Sequence, residues 1–268
     1  MTELSKENLI KEYWNNRAEE FKSSPAATTN DVCLRELEVA ELIKAIRKLN
    51  LTPGSKILDV GCGDGFSTLR IAAHFPELNF TGMDYCDKMI ANACSNIVTN
   101  YPNIRNVSFR VHSILEEVGT ERYSVALSGR CLINLTSFSE QETALNNIAS
   151  YLVDGGTYIG IENFIDENNN LNSLRGIFGL GAIPIRWHNL FFGEKQFRIA
   201  MTSKFDGVYI TDFLSSYYVI TRVIYSKICN LLNKEPNYLH WMHRLGMIIP
   251  SAGGYCPVRL ITATRRAR

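Results

Sequence analysis

The chain has 268 residues, 46% of them hydrophobic, which supplies a sizeable core and excludes wholesale disorder. Lysine and arginine number 28 against 27 aspartates and glutamates, and a net charge of +1 gives no general attraction to nucleic-acid phosphates or anionic membranes. Seven scattered cysteines (33, 62, 86, 94, 131, 229 and 256) include no C-x-x-C pair, so neither a disulfide framework nor a zinc ribbon is expected, and a reducing, cytoplasmic setting is.

The opening stretch MTELSKENLIKEYWNN has no basic start followed by an apolar core, so no signal peptide is expected. Residues 34–49 place apolar groups at 39, 42, 43, 46 and 49, the spacing of a helix, which Pro53 and Gly54 end. KILDV (56–60) reads as a fully buried strand and 66–75 returns to helical spacing. LNFTGMD (78–84) is a second strand, 87–97 a second helix of this rhythm, VSFRVH (107–112) a third strand and YSVALS (123–128) a fourth. SEQE at 139–142 fits a capping box opening a helix with Leu145, Ile148 and Leu152 on one side. Asp154, Gly155 and Gly156 are expected to turn into a fifth strand, TYIGIEN (157–163).

Strands alternating with helices at this spacing imply an α/β, doubly wound, mostly parallel sheet, seven-stranded once the later segments are added. Ligands of such sheets bind beyond the carboxyl ends of the strands, so the loops after Val60, Met83, Val111, Ser128 and Ile161 are expected to converge on one site. After Glu162 the rhythm fails. Residues 164–250 read as a largely helical insertion or lid, with a helix near 194–203 and a short strand near 207–211. VRLITAT (258–264) is the expected final strand. The division is thus 1–50, N-terminal helices over the site; 51–163, the ligand-binding core; 164–250, the substrate insertion; and 251–268, the last strand and a basic tail with Arg265, Arg266 and Arg268, read as solvated. The apolar stretch 214–232 carries Arg222 and Lys227 and is a poor membrane span.

The first strand runs into D-x-G-x-G-x-G, made by Asp59, Gly61, Gly63 and Gly65. Such glycines let the backbone turn sharply and approach a ligand closely. A dinucleotide G-x-G-x-x-G would need glycine at 66, where Phe66 stands. No lysine or arginine lies between Asp59 and Gly65, whereas Asp59, Asp64, Asp84 and Asp87 gather nearby, favouring a ligand with positive charge and no phosphates. Asp84 ends the second strand and is placed to accept both hydroxyls of a ribose. A ribose, a cationic centre and no pyrophosphate together describe S-adenosylmethionine.

On ILDVGCGDG, FTGMDYCDKMI, VSFRVHSILE and LVDGGTYI, the chain resembles the class I S-adenosylmethionine-dependent methyltransferases of small-molecule type, over roughly residues 10–163. The resemblance implies the Rossmann-like methyltransferase fold, S-adenosylmethionine as cofactor and S-adenosylhomocysteine as product. It places Gly61 and Gly63 at the methionine part, Asp84 at the ribose and Met89 near the adenine, with Asp59 and Tyr85 among the cofactor-binding residues. Ser113 stands where the family often has an acid for the adenine amine, and the backbone N–H of Ile114 is the alternative contact. YWNNRAEEF resembles the aromatic cover helix of these enzymes, so Tyr13 and Arg17 are expected to close over the methionyl carboxylate.

For the methyl acceptor, the region after the fourth strand reads SGRCLINL, without the N/D-P-P-Y turn of exocyclic-amine nucleic-acid methylases, which disfavours nucleic acid. A small polar metabolite such as a sugar, a nucleotide-sugar or a secondary-metabolite scaffold is the leading reading, methylated on oxygen or nitrogen. Arg130, near the cofactor, and Arg222 could hold an acceptor carboxylate or phosphate. Glu162, Asn163, Trp187 and Tyr218 are the other expected substrate contacts, with His188 and Tyr217 as catalytic candidates and His188 the base if the acceptor is a hydroxyl. His240 and His243 share a helical face but lack an accompanying carboxylate motif, so no metal is expected. Two alternatives stand beside this reading. One is a non-catalytic adenosylmethionine-binding subunit; the other is an NAD(P)-dependent oxidoreductase or epimerase, which would need Gly at 66 and Tyr-x-x-x-Lys, neither present. The oligomeric state is left open.

Overall fold

A computed structural model describes residues 5–22 and 29–267, so Arg268 of the basic tail and parts of the N-terminal segment lie outside the described residues. KILDV forms the central strand β1 (Lys56–Val60), buried at every position but its first. Successive side chains point to opposite faces. Ile57 joins a core with Leu42, Ile46 and Ile71, whereas Leu58 and Val60 join one with Leu145, Ile148 and Phe164. Burial on both faces is why the run is apolar without alternation.

The sheet continues through β2 (Asn79–Asp84), β3 (Val107–Val111), β4 (Tyr123–Gly129), β5 (Leu152–Asn163), β6 (Phe205–Thr211) and β7 (Val258–Arg265), in the order β3-β2-β1-β4-β5-β7-β6. All pairings are parallel except those of β7 with β5 and β6. Strand order reverses between β1 and β4, so the carboxyl ends of these two strands flank the topological switch point. Helices α1 (Lys6–Phe21), α2 (Val32–Lys48), α3 (Phe66–His74), α4 (Asp87–Asn100) and α5 (Phe138–Tyr151) belong to this first half.

Two local expectations shift. The box that opens α5 is Thr136–Ser137–Glu140, not 139–142: Ser137 Oγ accepts the Glu140 N–H at 3.2 Å, and the Glu140 carboxylate takes the Thr136 N–H at 2.7 Å. The expected turn at 154–156 is an irregularity within β5, which already pairs at Leu152 with Tyr123 before its register shifts.

The second half is largely helical, as expected. The Asn-rich stretch forms α6 (Ile165–Ile177), with only Glu167, Asn168 and Leu171 buried. Its asparagines serve tertiary contacts: Asn172 accepts from the Ile183 N–H at 2.8 Å and donates to the Ile183 carbonyl at 3.2 Å. After α7 (Glu194–Thr202) and β6, the chain forms α8 (Ser215–Tyr218), a π-helical turn (Val219–Ile224), α9 (Tyr225–Leu231) and α10 (Trp241–Ile248). Among the described residues no helix is long and apolar enough to cross a membrane.

Asp31 caps α2 and ties this half to the first. It accepts the Leu34 N–H at 3.1 Å, the Tyr217 hydroxyl at 2.6 Å and the Arg222 guanidinium at 2.5 Å. Burial alone would raise its carboxyl, but His243, Arg222 and Tyr217 outweigh burial and hold it below the usual carboxylate range. This network removes Tyr217 from the expected catalytic set, because its hydroxyl is spent on Asp31 and on His243 Nδ1 at 2.8 Å. His243 and His240 are likewise engaged, the latter stacked on Tyr225 at 4.3 Å between centroids.

Candidate active site

The loops after β1, β2, β3, β4 and β5 converge on one cavity of about 320 Å³ at the switch point, reached by Val60, Asp84, Ser113, Arg130 and Asn163. The glycine turn is fixed from below, where Gly61 and Cys62 both donate their N–H groups to the Met83 carbonyl, at 2.8 and 3.1 Å. Gly61 has φ +69°, and a Cβ there would stand 2.2 Å from Cys131 Sγ. Gly65 caps α3 at φ +73°, and a Cβ there would meet the Phe109 ring at 2.6 Å. Glycine is required at both points for conformation and for space.

Asp84 stands half-buried at the end of β2. One carboxylate oxygen accepts the Gly63 N–H at 2.9 Å and the other the Cys86 N–H at 2.9 Å, which fixes the plane of the group. Burial, together with nearby Asp64, pushes it up to about 6. Asp59 is deeper and accepts the Thr68 hydroxyl at 2.5 Å; burial raises it to about 6 as well, with Asp84 adding to the rise. Asp64 is paired with Arg35 at 2.7 Å in the interior, and the Arg35 guanidinium also lies 4.0 Å from the Phe66 ring. Position 66 is therefore filled by a cation–aromatic stack.

Tyr85, Met89, Ser113 and Ile114 also line the cavity, with Asp59, Gly61, Gly63 and Asp84. Ser113 Oγ caps the following turn by accepting the Leu115 N–H at 3.2 Å. Tyr13 does not reach the cavity wall, where its neighbour Trp14 stands; it stacks on His188 at 4.5 Å. Arg17 is likewise off the wall and lies over the Phe21 ring.

On the other side, His188, Asn163, Tyr218, Arg130 and Arg222 line the cavity and Trp187 and Glu162 do not. Trp187 points outward, 54% exposed, and packs edge-on against Tyr13 at 5.9 Å. Glu162 lies beneath the turn at 130–134, accepting the Ser128 hydroxyl at 2.8 Å and the Leu132 N–H at 3.2 Å. The expected arginine pair is also neutralised: Arg130 is bound to Glu38 at 3.0 Å and Arg222 to Asp31. Arg130 adopts φ +53°, a strained conformation for a residue with a side chain.

Burial and Arg186 lower the His188 imidazole to about 4, so it is neutral throughout the physiological range. The loop that carries it is pinned, because Leu190 donates to the Ile133 carbonyl at 2.6 Å and Gln141 donates to the Leu190 carbonyl at 2.9 Å. Cys62 and Cys131 also face the cavity, and burial pushes both thiols well up, so they are neutral wall rather than nucleophiles. Side-chain atoms of Asn134, Asn163, His188 and His112 in this wall have no hydrogen-bond partner among the described residues. Buried polar atoms of this kind are matched by a ligand or water. Arg35, Glu38, Asn168 and Trp14 were not foreseen as wall residues; the first two lie on α2, outside the motifs singled out in the sequence.

Glu162 supplies a test of this burial. Burial raises it to about 7 against an ordinary 4.5. A carboxyl raised in the folded state binds its proton there more tightly than in the unfolded chain. Its contribution to stability is therefore present at low pH and is lost as pH rises from about 4.5 to about 7, by roughly 3 kcal/mol. We expect Glu162→Gln, which keeps an acceptor for Leu132, to flatten this dependence. Thermal melts at pH 5 and pH 8 that fall equally in wild type and variant would contradict it.

Residues 57–156 match a family model described as methyltransferase domain. Cyclopropane mycolic acid synthase 1 of Mycobacterium tuberculosis is 35% identical over 77 residues, 29% of this chain and 26% of that protein. The matched stretch thus spans about a quarter of that relative. Magnesium protoporphyrin IX methyltransferase from Synechocystis PCC 6803 superposes with a TM-score of 0.63 at 13% identity, covering 97% of this chain and 99% of that one. N-methyltransferase NodS from Bradyrhizobium japonicum gives 0.59 at 14% identity, covering 97% and 99%. These likenesses confirm the expected fold, seven strands with one antiparallel hairpin. Residues 57–156 thus match the methyltransferase-domain family model, and the chain carries the fold of the class I S-adenosylmethionine-dependent methyltransferases.

Proposed function

We propose that the protein transfers the methyl group of S-adenosylmethionine to an oxygen or nitrogen of a small polar metabolite and releases S-adenosylhomocysteine. The observation that carries this reading is Asp84, whose two carboxylate oxygens are fixed by Gly63 and Cys86 at the rim of the cavity, beside a glycine turn without a cationic side chain of its own. Such a carboxylate suits two vicinal hydroxyls of a ribose, and the turn offers no cationic side chain to a pyrophosphate. Magnesium protoporphyrin IX methyltransferase and NodS were both crystallised with bound S-adenosylhomocysteine, which supports the same cofactor here.

In this reading Gly61 and Gly63 approach the methionyl part, Asp84 and Tyr85 hold the ribose, and Met89, Ser113 and Ile114 border the adenine. The cofactor supplies an electrophilic methyl group on a sulfonium. Transfer is an in-line displacement, so the chain's contribution is mainly to hold the acceptor in line and exclude water. The polar groups of Asn163, Asn168, His188 and Arg186 would orient a metabolite in the remaining space. Residues 164–250 then act as the substrate-binding lid.

His188 is the residue to accept a proton if the acceptor is a hydroxyl, through the buried Nδ1 that has no partner among the described residues. His188→Ala is expected to lower kcat about a hundredfold with little change in cofactor affinity. The wild-type rate should stay level in pH down to about 4 from this group. Unchanged turnover in the variant at saturating cofactor would remove it from the reaction.

The reading itself is tested by incubating the protein with methyl-labelled S-adenosylmethionine and a metabolite extract. Label in the small-molecule fraction supports it. Cofactor bound without any transfer would make the chain a binding subunit.

A further inference from the structure

Segments 168–193 and 213–257 carry six basic residues against one acid, Glu235; Arg222 is bound to Asp31 and Arg186 lines the cavity, which leaves Lys227, Lys234 and Arg244 on α9, α10 and the loop between them. The same segments hold most of the exposed large hydrophobic residues. Four of these, Ile224, Ile228, Leu231 and Leu232, recur along the π turn and α9 at the spacing of one helical face. The loop that follows adds Leu239, 81% exposed, and α10 opens with Trp241, 62% exposed. Arg244 is exposed one turn after Trp241, on the same side of α10.

We propose that this face docks on an anionic lipid bilayer. Large apolar residues left exposed along one helical face mark an interaction surface. Its charge selects the partner: leucines and isoleucines enter the acyl boundary, Trp241 sits at headgroup level, and Lys234 and Arg244 meet lipid phosphates. The face lies on the outside of the structure whose inner residues, Leu171, Ile183, Tyr218 and Arg222, line the cavity. Docking therefore sets the acceptor end of the cavity beside the membrane surface, and it stands whether or not the chain transfers methyl groups.

The test is co-sedimentation of the full chain with vesicles of phosphatidylcholine alone and of equal parts phosphatidylcholine and phosphatidylglycerol. We expect binding to the mixed vesicles, released by high salt. Leu231→Ser with Leu239→Ser should weaken it about tenfold or more. Lys234→Glu should weaken it about fivefold. These exposed positions leave the fold intact, which an unchanged melting curve verifies. No binding to either vesicle, or equal binding to both, overturns the proposal. So does a self-associated species in sedimentation velocity that the leucine substitutions dissociate, which would assign the face to a second copy.

Discussion

Replacing Asp84 by alanine is expected to weaken S-adenosylhomocysteine binding by roughly 3–5 kcal/mol, about a thousandfold, the worth of two hydrogen bonds to a charged group. The effect has two parts. The ribose loses its acceptors, and the Gly63 and Cys86 N–H groups lose the carboxylate that fixes them at 2.9 Å each. Asp84→Asn keeps one acceptor oxygen and should lose less. Because burial raises Asp84 to about 6, the wild-type affinity should also fall as pH drops through 6 and the group protonates. Calorimetry showing equal affinity in wild type and alanine variant, or no loss of affinity below pH 6, would contradict this role.

Gly61→Ala is expected to cost roughly 4 kcal/mol of stability or more and to abolish cofactor binding, from overpacking and a disfavoured backbone together. The added Cβ would lie 2.2 Å from Cys131 Sγ and 2.6 Å from Cys131 Cβ, at φ +69°. The clash cannot be relieved by rotating a long side chain, because Cys131 ends at Sγ and its Cβ is also in the way. Cys131→Gly in the same chain removes the collision but not the backbone cost, so it should restore only part of the loss. Chemical denaturation reports both numbers. A Gly61→Ala protein as stable as wild type would mean the turn is not held as described.

How much of this was legible in the sequence varied with the kind of evidence. The glycine turn and Asp84 follow from local order, because strand ends and the loops after them are set by neighbours in the chain; Met89, Ser113 and Ile114 came from the resemblance and line the cavity. The acceptor side was found pair by pair but not residue by residue. Of Tyr217 and Tyr218 the second lines the cavity; of Trp187 and His188, the second; of Glu162 and Asn163, the second. Adjacent residues on a strand, a helix or an irregular loop face different ways, and composition does not say which. The arginines were misjudged for another reason. Arg130 and Arg222 are cations at the site, but Glu38 and Asp31 reach them from α2, a helix nearly a hundred residues or more away in sequence. The largely helical character of 164–250 was expected, but apart from the helix near 194–203 its helices were not placed, because their tertiary contacts use asparagine, arginine and histidine as much as apolar residues.

The central claim is that an aspartate-floored glycine cradle takes a sulfonium nucleoside and not a dinucleotide. Titration calorimetry of the unmodified protein with S-adenosylhomocysteine and with NAD tests it most directly. The account predicts saturable uptake of S-adenosylhomocysteine at one site per chain and no heat from NAD. Uptake of NAD with none of S-adenosylhomocysteine would contradict it.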